Sequence, residues 1–444
     1  MKVVFLCGGI GKRMFPITED KFLLKFLGKT LLEHQTQMAK EVGLTEFVIV
    51  GNPKNINRLE EIVTNIPGIN AKLVVQEEPL GIANALQSAN QFLNGEIIIV
   101  NPNDVFESSA YTRLLEASRA DSATSYLLGR ELNDYFPGGY LVVNKEGELR
   151  HIIEKPERGR EPSNLVNLLV HLHTDPNRLL KYAASAPTDR DDVYERAIDA
   201  AARDTHKIKV VPYLGLWNAI KYPWHIFAIV RQFLSRSERY ISPSAQISDK
   251  ATITGPVVID DNVTVLENAV IRGPAYIGPS SVIGNNSLVR GYSHIGANCV
   301  VGYSTEVKGS YIGDGCWFHM SYIGDSIIGD GCSFAAGTVL SNFRFDERNI
   351  SVKMDDEYID TRLDKFGAII GSNSKTGVSV SVMPGVRIGP NSIVSSHVCL
   401  TEDLEPDTII LAESVHKTVR NKIRVDQERI NKARERIEGL RCAE

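Results

Sequence analysis

Three glycines and a set of basic residues follow the first apolar run of the chain. Lys2–Cys7 reads as a buried strand, and Gly8, Gly9 and Gly11 come after it, joined by Lys12, Arg13 and then Lys21. Glycines let the backbone turn tightly and bring its N–H groups up to an anion with no side chain in the way. Arg13 and Lys21 add the fixed positive charge that phosphate oxygens need. Two common phosphate motifs are excluded. A Walker loop ends in Gly-Lys-Ser/Thr, whereas Gly11-Lys12 is followed by Arg13. A dinucleotide fingerprint needs a glycine three residues after Gly11, where Met14 stands. The bland alternative is a strand-to-helix turn with solvated basic residues.

Two further groups could serve the same chemistry. Gln76 offers an amide donor and acceptor that can read a pyrimidine edge, and Gly81 allows close backbone approach at a helix start. Asp104 follows the apolar run Glu96–Val100. A carboxylate at a strand end near a phosphate loop suits Mg²⁺, which prefers hard oxygen donors. His171 and His173 alternate along an apolar run; with no third ligand they read as surface residues.

Elements that would position these groups can be read in order. Helical patterns at 30–42, 55–64 and 81–93 alternate with apolar strands at 46–50, 71–75 and 96–100. Such alternation predicts an α/β domain over about 1–235, a mixed, mainly parallel sheet with helices on both faces, and ligands at the carboxyl ends of its strands. From Ile241 to Val307 every sixth residue is Ile or Val, usually with a small residue four positions on. That period predicts a β-helix of three hexapeptides per coil over about 240–403. The register shortens near 307–328 and breaks at 340–366, a polar insertion too irregular for coils. Residues 404–444 form a charged tail. There Val415, Val419, Ile423, Ile430, Ala433, Ile437 and Leu440 lie at helical spacing and predict one helix, either amphipathic and packed on the β-helix or on another subunit, or charged and solvated.

Composition bounds the rest. The chain has 444 residues, 43% hydrophobic and 23% charged, with net charge −5, so no global case exists for a nucleic-acid partner. No apolar run reaches the length of a membrane span, and no membrane partner is expected. The six cysteines form no Cys-x-x-Cys pair, which predicts a reduced, cytoplasmic protein.

The stretch Leu6–Lys29 resembles the signature of the sugar-1-phosphate nucleotidylyltransferases through Leu6, Gly9, Gly11, Arg13, Met14, Lys21, Leu23, Gly28 and Lys29. Lys12 and Asp20 depart from it. The resemblance implies that Gly8, Gly9, Gly11, Gln76 and Gly81 bind the nucleotide, that Arg13 and Lys21 act on its phosphates, and that Asp104 binds Mg²⁺. It further implies that Gly139, Glu154, Lys155 and Asn167 hold the sugar phosphate, with Asn164 as a competitor to Asn167. Asn218, in Trp217-Asn218-Ala219-Ile220-Lys221, stands near the second metal ligand of that family. The segment holding Lys308, His319, Tyr322 and Asn342 resembles the acetyltransferase domain of the archaeal-type bifunctional glucosamine-1-phosphate acetyltransferase and uridylyltransferases. That likeness implies a left-handed β-helix, His319 as the base, and Lys308, Tyr322 and Asn342 on the sugar phosphate and amine. Acetyl-CoA, UTP or dTTP, and a sugar 1-phosphate are the implied partners, and a homotrimer the implied assembly. Two alternatives stand beside this reading: a monofunctional nucleotidylyltransferase whose β-helix serves assembly or allostery, and a catalytically inactive regulatory homologue.

Overall fold

The computed structural model describes residues 1–9, 11–185, 192–204, 206–413, 417–422, 424 and 426–441. Met1–Ile410 form one compact unit and Leu411–Glu444 another. Each is described by itself.

Apolar runs in the first half become the central strands of a nine-stranded sheet. In chain order its elements are β1 (Lys2–Leu6), α1 (Leu31–Glu41), β2 (Glu46–Gly51), α2 (Ile56–Thr64), β3 (Asn70–Val75), α3 (Gly81–Ser88) and β4 (Ile97–Val100). The short β5 (Asp104–Phe106) leads to α4 (Ser109–Ala120), β6 (Ser125–Glu131), β7 (Gly139–Val143), β8 (Leu149–Glu154) and β9 (Leu165–His173). Then come α5 (Pro176–Ala184), α6 (Val193–Arg203), β10 (Ile208–Pro212), β11 (Trp217–Ala219) and α7 (Ile226–Ser235). Strand order is β8-β7-β9-β4-β1-β2-β3, with β6 also on β9 and β10 on β6. The β4-β1-β2-β3 half is parallel, while β9 runs antiparallel to β4, β6 and β7. One face packs under α1, α2 and α4, the other under α3, α5 and α6, so both sides of the parallel half are dry, as its unbroken Val/Ile runs require. The helix expected to reach residue 93 stops at Ser88, and Asn90–Phe92 continue as a 3₁₀ turn. A capping box on Thr30 and Glu33 opens α1.

The six-residue period becomes three parallel sheets wound as coils, with Val257 opposite Ala275 and Ala275 opposite Ser293. Ile259, Val265, Ile271, Ile277, Ile283, Val289, Ile295 and Val301 point inward and are fully buried. Corners turn through the left-handed region at Asn262, Asn268, Asn286 and Asn298, with φ of 57°, 59°, 58° and 55°. Asparagine tolerates that conformation because its side chain bonds locally. Where the register shortens, Glu306 lies opposite Tyr322 and Tyr311 opposite Ile327. Ile327 then pairs with Ile369, and the insertion lies between them.

That insertion is more ordered than its polarity suggested. It carries an antiparallel hairpin, Ser351–Met354 with Glu357–Asp360, and buries Ile350, Val352 and Phe366. Those three side chains join Met14, Phe26, Trp224, Phe227, Tyr276 and Tyr311 in one cluster that fastens the first domain to the coils. A Lys25–Asp314 ion pair of 2.6 Å crosses the same boundary. The last coil strand is Ile409–Ile410, which pairs with Ile393–Val394.

In the second unit α8 (Gln427–Arg441) is helical. Ile437 is 55% exposed, and Val419, ahead of the helix, is 69% exposed. Val415 and Ile423 lie outside the described residues, as does the side chain of Leu440.

Candidate active sites

The carboxyl ends of β1, β3 and β4 bring the first set of groups together. The chain leaves β1 through Gly8 and Gly9 and turns past Lys12–Met14. Gly8 is dictated by a neighbour, since a Cβ there would stand 2.2 Å from Gln76 Oε1. Gln76 is buried, and its amide nitrogen already donates to the Gly81 carbonyl at 3.0 Å and to Asn84 Oδ1 at 2.8 Å. The expected base-reading donor is therefore spent inside the protein, holding the backbone of Gly81, which has φ +84° at the start of α3.

Arg13, Lys21 and Asp104 share one electrostatic environment. Lys21 Nζ donates to the Ile220 carbonyl at 3.0 Å. Burial first, then the charge of Lys221, lowers its pKa to about 8; Arg13 adds to this and Asp104 opposes it. Asp104 is buried, and its Oδ2 accepts the Trp217 indole N–H at 3.1 Å. Burial raises its pKa against the pull of Lys221, the Trp217 bond and Lys21. Lys221 was not singled out from sequence, though it flanks both groups. Its ammonium lies 5.2 Å from the ring centroid of Phe136.

Asn218 does not join Asp104. In the β5–β11 ribbon Asp104 is opposite Ala219 while Asn218 is opposite Val105, so the pleat sends Asn218 to the other face. Its amide there donates to Gln232 Oε1 at 2.6 Å, on α7. The expected second metal ligand is thus withdrawn, and one carboxylate remains. That fits Mg²⁺, which takes one or two protein carboxylates and fills its octahedron with substrate phosphates and water. The second oxygen, Oδ1, has only a 3.5 Å contact to Asn101.

The residues expected to hold the sugar phosphate are carried by β7, β8 and β9. Gly139 lies opposite Glu154, and a Cβ on Gly139 would come within 3.1 Å of Glu154 Oε2 and 3.3 Å of Asn167 Cβ. Lys155, in the left-handed region at φ +45°, pairs with Glu154 at 3.0 Å. Asn164 is exposed, whereas Asn167 Cβ and Glu154 Oε2 both line the space beside Gly139. His171 and His173, expected on the surface, are buried, with 0% and 1% of their area exposed. Both bond to Tyr194 of α6, which covers that face of β9.

A second cluster forms on one sheet of the coils. Asp325, at φ +43°, accepts from both Lys308 Nζ and Asn342 Nδ2, and the Tyr322 hydroxyl donates to Asn342 Oδ1 at 3.4 Å. Lys308 lies opposite Gly324, where any Cβ would strike Tyr322 and Asn342 at 2.7–2.8 Å. Asp325 was missed from sequence; it neutralises Lys308 and pins Asn342. His319 stands apart at the next corner, exposed, with no hydrogen bond or ion pair to its ring among the described residues. Around it Trp317 and Met320 are 61% and 50% exposed.

Comparisons with known proteins bear on the family of the chain. The nucleotidyl transferase family profile matches residues 2–208. A protein of Methanococcus maripaludis strain C7 named bifunctional protein GlmU is 34% identical over 421 residues, 92% of this chain and 97% of that protein. The chain belongs to the bifunctional GlmU family. A Sulfurisphaera tokodaii relative named bifunctional sugar-1-phosphate nucleotidylyltransferase/acetyltransferase is 31% identical over 90% of this chain and 98% of its own. The bifunctional protein GlmU of Methanocaldococcus jannaschii is 29% identical over 92% and 97%.

A feature that no motif revealed joins the two halves of this GlmU-family chain. A cleft of about 1080 Å³ lies between the glycine-rich loop and the insertion, lined by Lys12 and Arg13 on one side and by Lys353, Asp355 and Arg387 on the other. Lys353 has no ion pair among the described residues, whereas Arg387 is held by Asp403 at 2.8 Å.

Proposed function

We propose that this protein transfers a nucleotidyl group from UTP or dTTP to a sugar 1-phosphate, releasing pyrophosphate, and acetylates an amino-sugar 1-phosphate with acetyl-CoA. The observation that carries the reading is the convergence of Arg13, Lys21, Lys221 and Asp104 at the strand ends. A sugar phosphate is already a good nucleophile, so no protein base is needed. Arg13 and Lys221 neutralise charge on the leaving phosphates, and Lys21, short of solvent, donates to the oxygens around the α-phosphorus. Asp104 would hold a Mg²⁺ ion, which supplies further charge neutralisation when bound. Gly139, Glu154 and Asn167 form the wall against which the sugar lies, and Lys155 faces its phosphate.

For acetyl transfer, the amine must lose a proton as it attacks the thioester carbonyl. His319, exposed and with no partner to its ring among the described residues, is the base; Tyr322 and Asn342 orient the amino sugar and Lys308 meets its phosphate. The exposed apolar residues near His319 support a shared edge between copies in a homotrimer. Among the described residues five cysteines, Cys7, Cys299, Cys316, Cys332 and Cys399, are free, which supports a reducing compartment such as the cytoplasm.

The test is turnover of nucleoside triphosphates against a panel of sugar 1-phosphates, with acetyl-CoA consumption followed separately. Pyrophosphate release dependent on both substrates supports the first activity; thiol release with a hexosamine 1-phosphate supports the second. Absence of the first with every pair refutes the nucleotidyl reading. Absence of the second reduces the β-helix to assembly.

A further inference from the structure

A line of buried polar groups runs inward from the sugar wall. His171 Nε2 lies 2.8 Å from Asn167 Oδ1, and His171 Nδ1 lies 2.7 Å from the Tyr194 hydroxyl. The same hydroxyl lies 2.9 Å from His173 Nε2, and His173 Nδ1 lies 2.8 Å from Ser125 Oγ. Tyr194, like the two rings, is almost wholly buried, at 1% exposure.

We propose that Ser125, His173, Tyr194 and His171 are positioning residues that fix the amide of Asn167, so that its NH₂ faces the sugar cleft and donates to an acceptor oxygen of the sugar 1-phosphate. The inference rests on the nucleotidyl-transfer reading above.

Hydrogen-bond counting sets the direction. Burial holds His173 at about 3 and His171 well below the ordinary imidazole value, so each ring is neutral and carries one N–H. With both protons on Nε2, every link is satisfied. Ser125 donates to His173, His173 to Tyr194, Tyr194 to His171, and His171 to the Asn167 carbonyl oxygen. Asn167 then has both amide hydrogens free of any partner among the described residues, and its Cβ stands beside Gly139. The reverse order is also closed along the chain, but it ends on Ser125. That hydroxyl would then accept from His173 and hold its own hydrogen with no acceptor, because Ser125 Oγ has no other partner among the described residues. A buried donor without a partner is costly, whereas a spare lone pair is cheap. The chain therefore runs from Ser125 outward.

The position of the network explains two histidines that no metal or acid–base role uses. They sit on β9 just beyond Asn167, where a bulge between Leu168 and His171 resets the register. The cleft end is set by β9 and the buried end by Ser125 of β6, with Tyr194 of α6 between them, so the orientation of one half-buried amide depends on packing far from the substrate.

Two measurements test it on the intact protein. Long-range ¹⁵N–¹H spectra report imidazole tautomers without any activity, and both His171 and His173 are expected as Nε2–H. An Nδ1–H tautomer at either ring overturns the proposal. In kinetics, Tyr194→Phe breaks the chain at its centre. It should raise KM for the sugar 1-phosphate by about ten-fold, the usual weight of one hydrogen bond, with KM for the nucleotide unchanged. His171→Gln keeps a donor toward Asn167 and should restore most of the sugar affinity that His171→Leu loses. An equal rise in both KM values, or no rescue by glutamine over leucine, overturns it, since a purely structural role predicts those results. Should Glu154→Ala leave the sugar KM untouched, the sugar-site reading itself fails; the tautomers still decide the direction of the chain.

Discussion

Lys21 gives the sharpest test of the nucleotidyl site. Its ammonium is half-buried beside Lys221 and Arg13, with Asp104 as the only opposing charge among these neighbours, and its pKa falls to about 8. The sign follows from its role. Phosphate binding needs the charged form, which dominates below pH 8 and is lost as pH rises through 8. In the free enzyme kcat/KM for the nucleotide should be flat near pH 7 and fall with unit slope above pH 8. At pH 9 about one-tenth of Lys21 remains protonated, so a roughly ten-fold loss is expected from this group alone. An unperturbed lysine would show no limb until above pH 10. Lys21→Arg, always charged, should abolish the limb even if its plateau is lower. Lys221→Met removes the largest repelling charge and should move the limb to higher pH. The assay is initial-rate pyrophosphate release at subsaturating nucleotide from pH 6.5 to 10, with protein stability checked at each pH. A limb that persists in Lys21→Arg, or moves down in Lys221→Met, refutes the argument.

Four further outcomes follow from the geometry. Asp104→Ala should lower nucleotidyl turnover by about 10² or more, as for loss of a key electrostatic group, and added Mg²⁺ should not restore it; near-normal turnover removes Asp104 from the site. Gly8→Ala forces Gln76 off its bonds to Gly81 and Asn84, and should cost about 1–3 kcal/mol in denaturant unfolding while weakening nucleotide binding by calorimetry. Asp325→Asn keeps the shape but removes the charge that holds Lys308 and Asn342, so acetyl transfer should fall by about ten-fold or more while nucleotidyl transfer is unchanged. His319→Ala should lower acetyl transfer by roughly 10²–10⁴ and spare nucleotidyl transfer; equal loss of both activities would mean that the variant disturbs the fold.

What the sequence made legible was local or periodic. Six-residue spacing revealed the coils because inward positions repeat the same physical demand, and the Val/Ile runs revealed the parallel half of the sheet. Gly139, Glu154 and Asn167 were legible through motifs, and they meet across three strands. What stayed hidden depends on which face a side chain takes or what lies across from it. Asn218 looked like a ligand, but one residue of pleat turns it to Gln232. Gln76 looked free, but Gly81 and Asn84 occupy its donors. His171 and His173 looked exposed because nothing in β9 itself announces the cover of α6. Lys221 and Asp325 carry no motif, and each matters only through partners more than fifteen residues away or across a coil.

The insertion shows why the two halves are better read as one machine than as tethered enzymes. It leaves the coils at Asn342, part of the second cluster, and returns at Phe366, whose N–H donates to the Asn342 carbonyl at 3.0 Å. Between those points its hairpin lines the cleft beside Lys12 and Arg13, and Arg362 pairs with Asp134 of the first domain at 2.8 Å. Ile350, Val352 and Phe366 are buried among Met14, Trp224 and Phe227, so the hairpin is held by apolar packing and not by exposed ion pairs, which contribute little. A glycine-rich loop isolated from the β-helix would lose this wall and expose Met14, which follows directly on Arg13. The cleft beside Lys12 and Arg13 is therefore completed by the insertion that the coils carry.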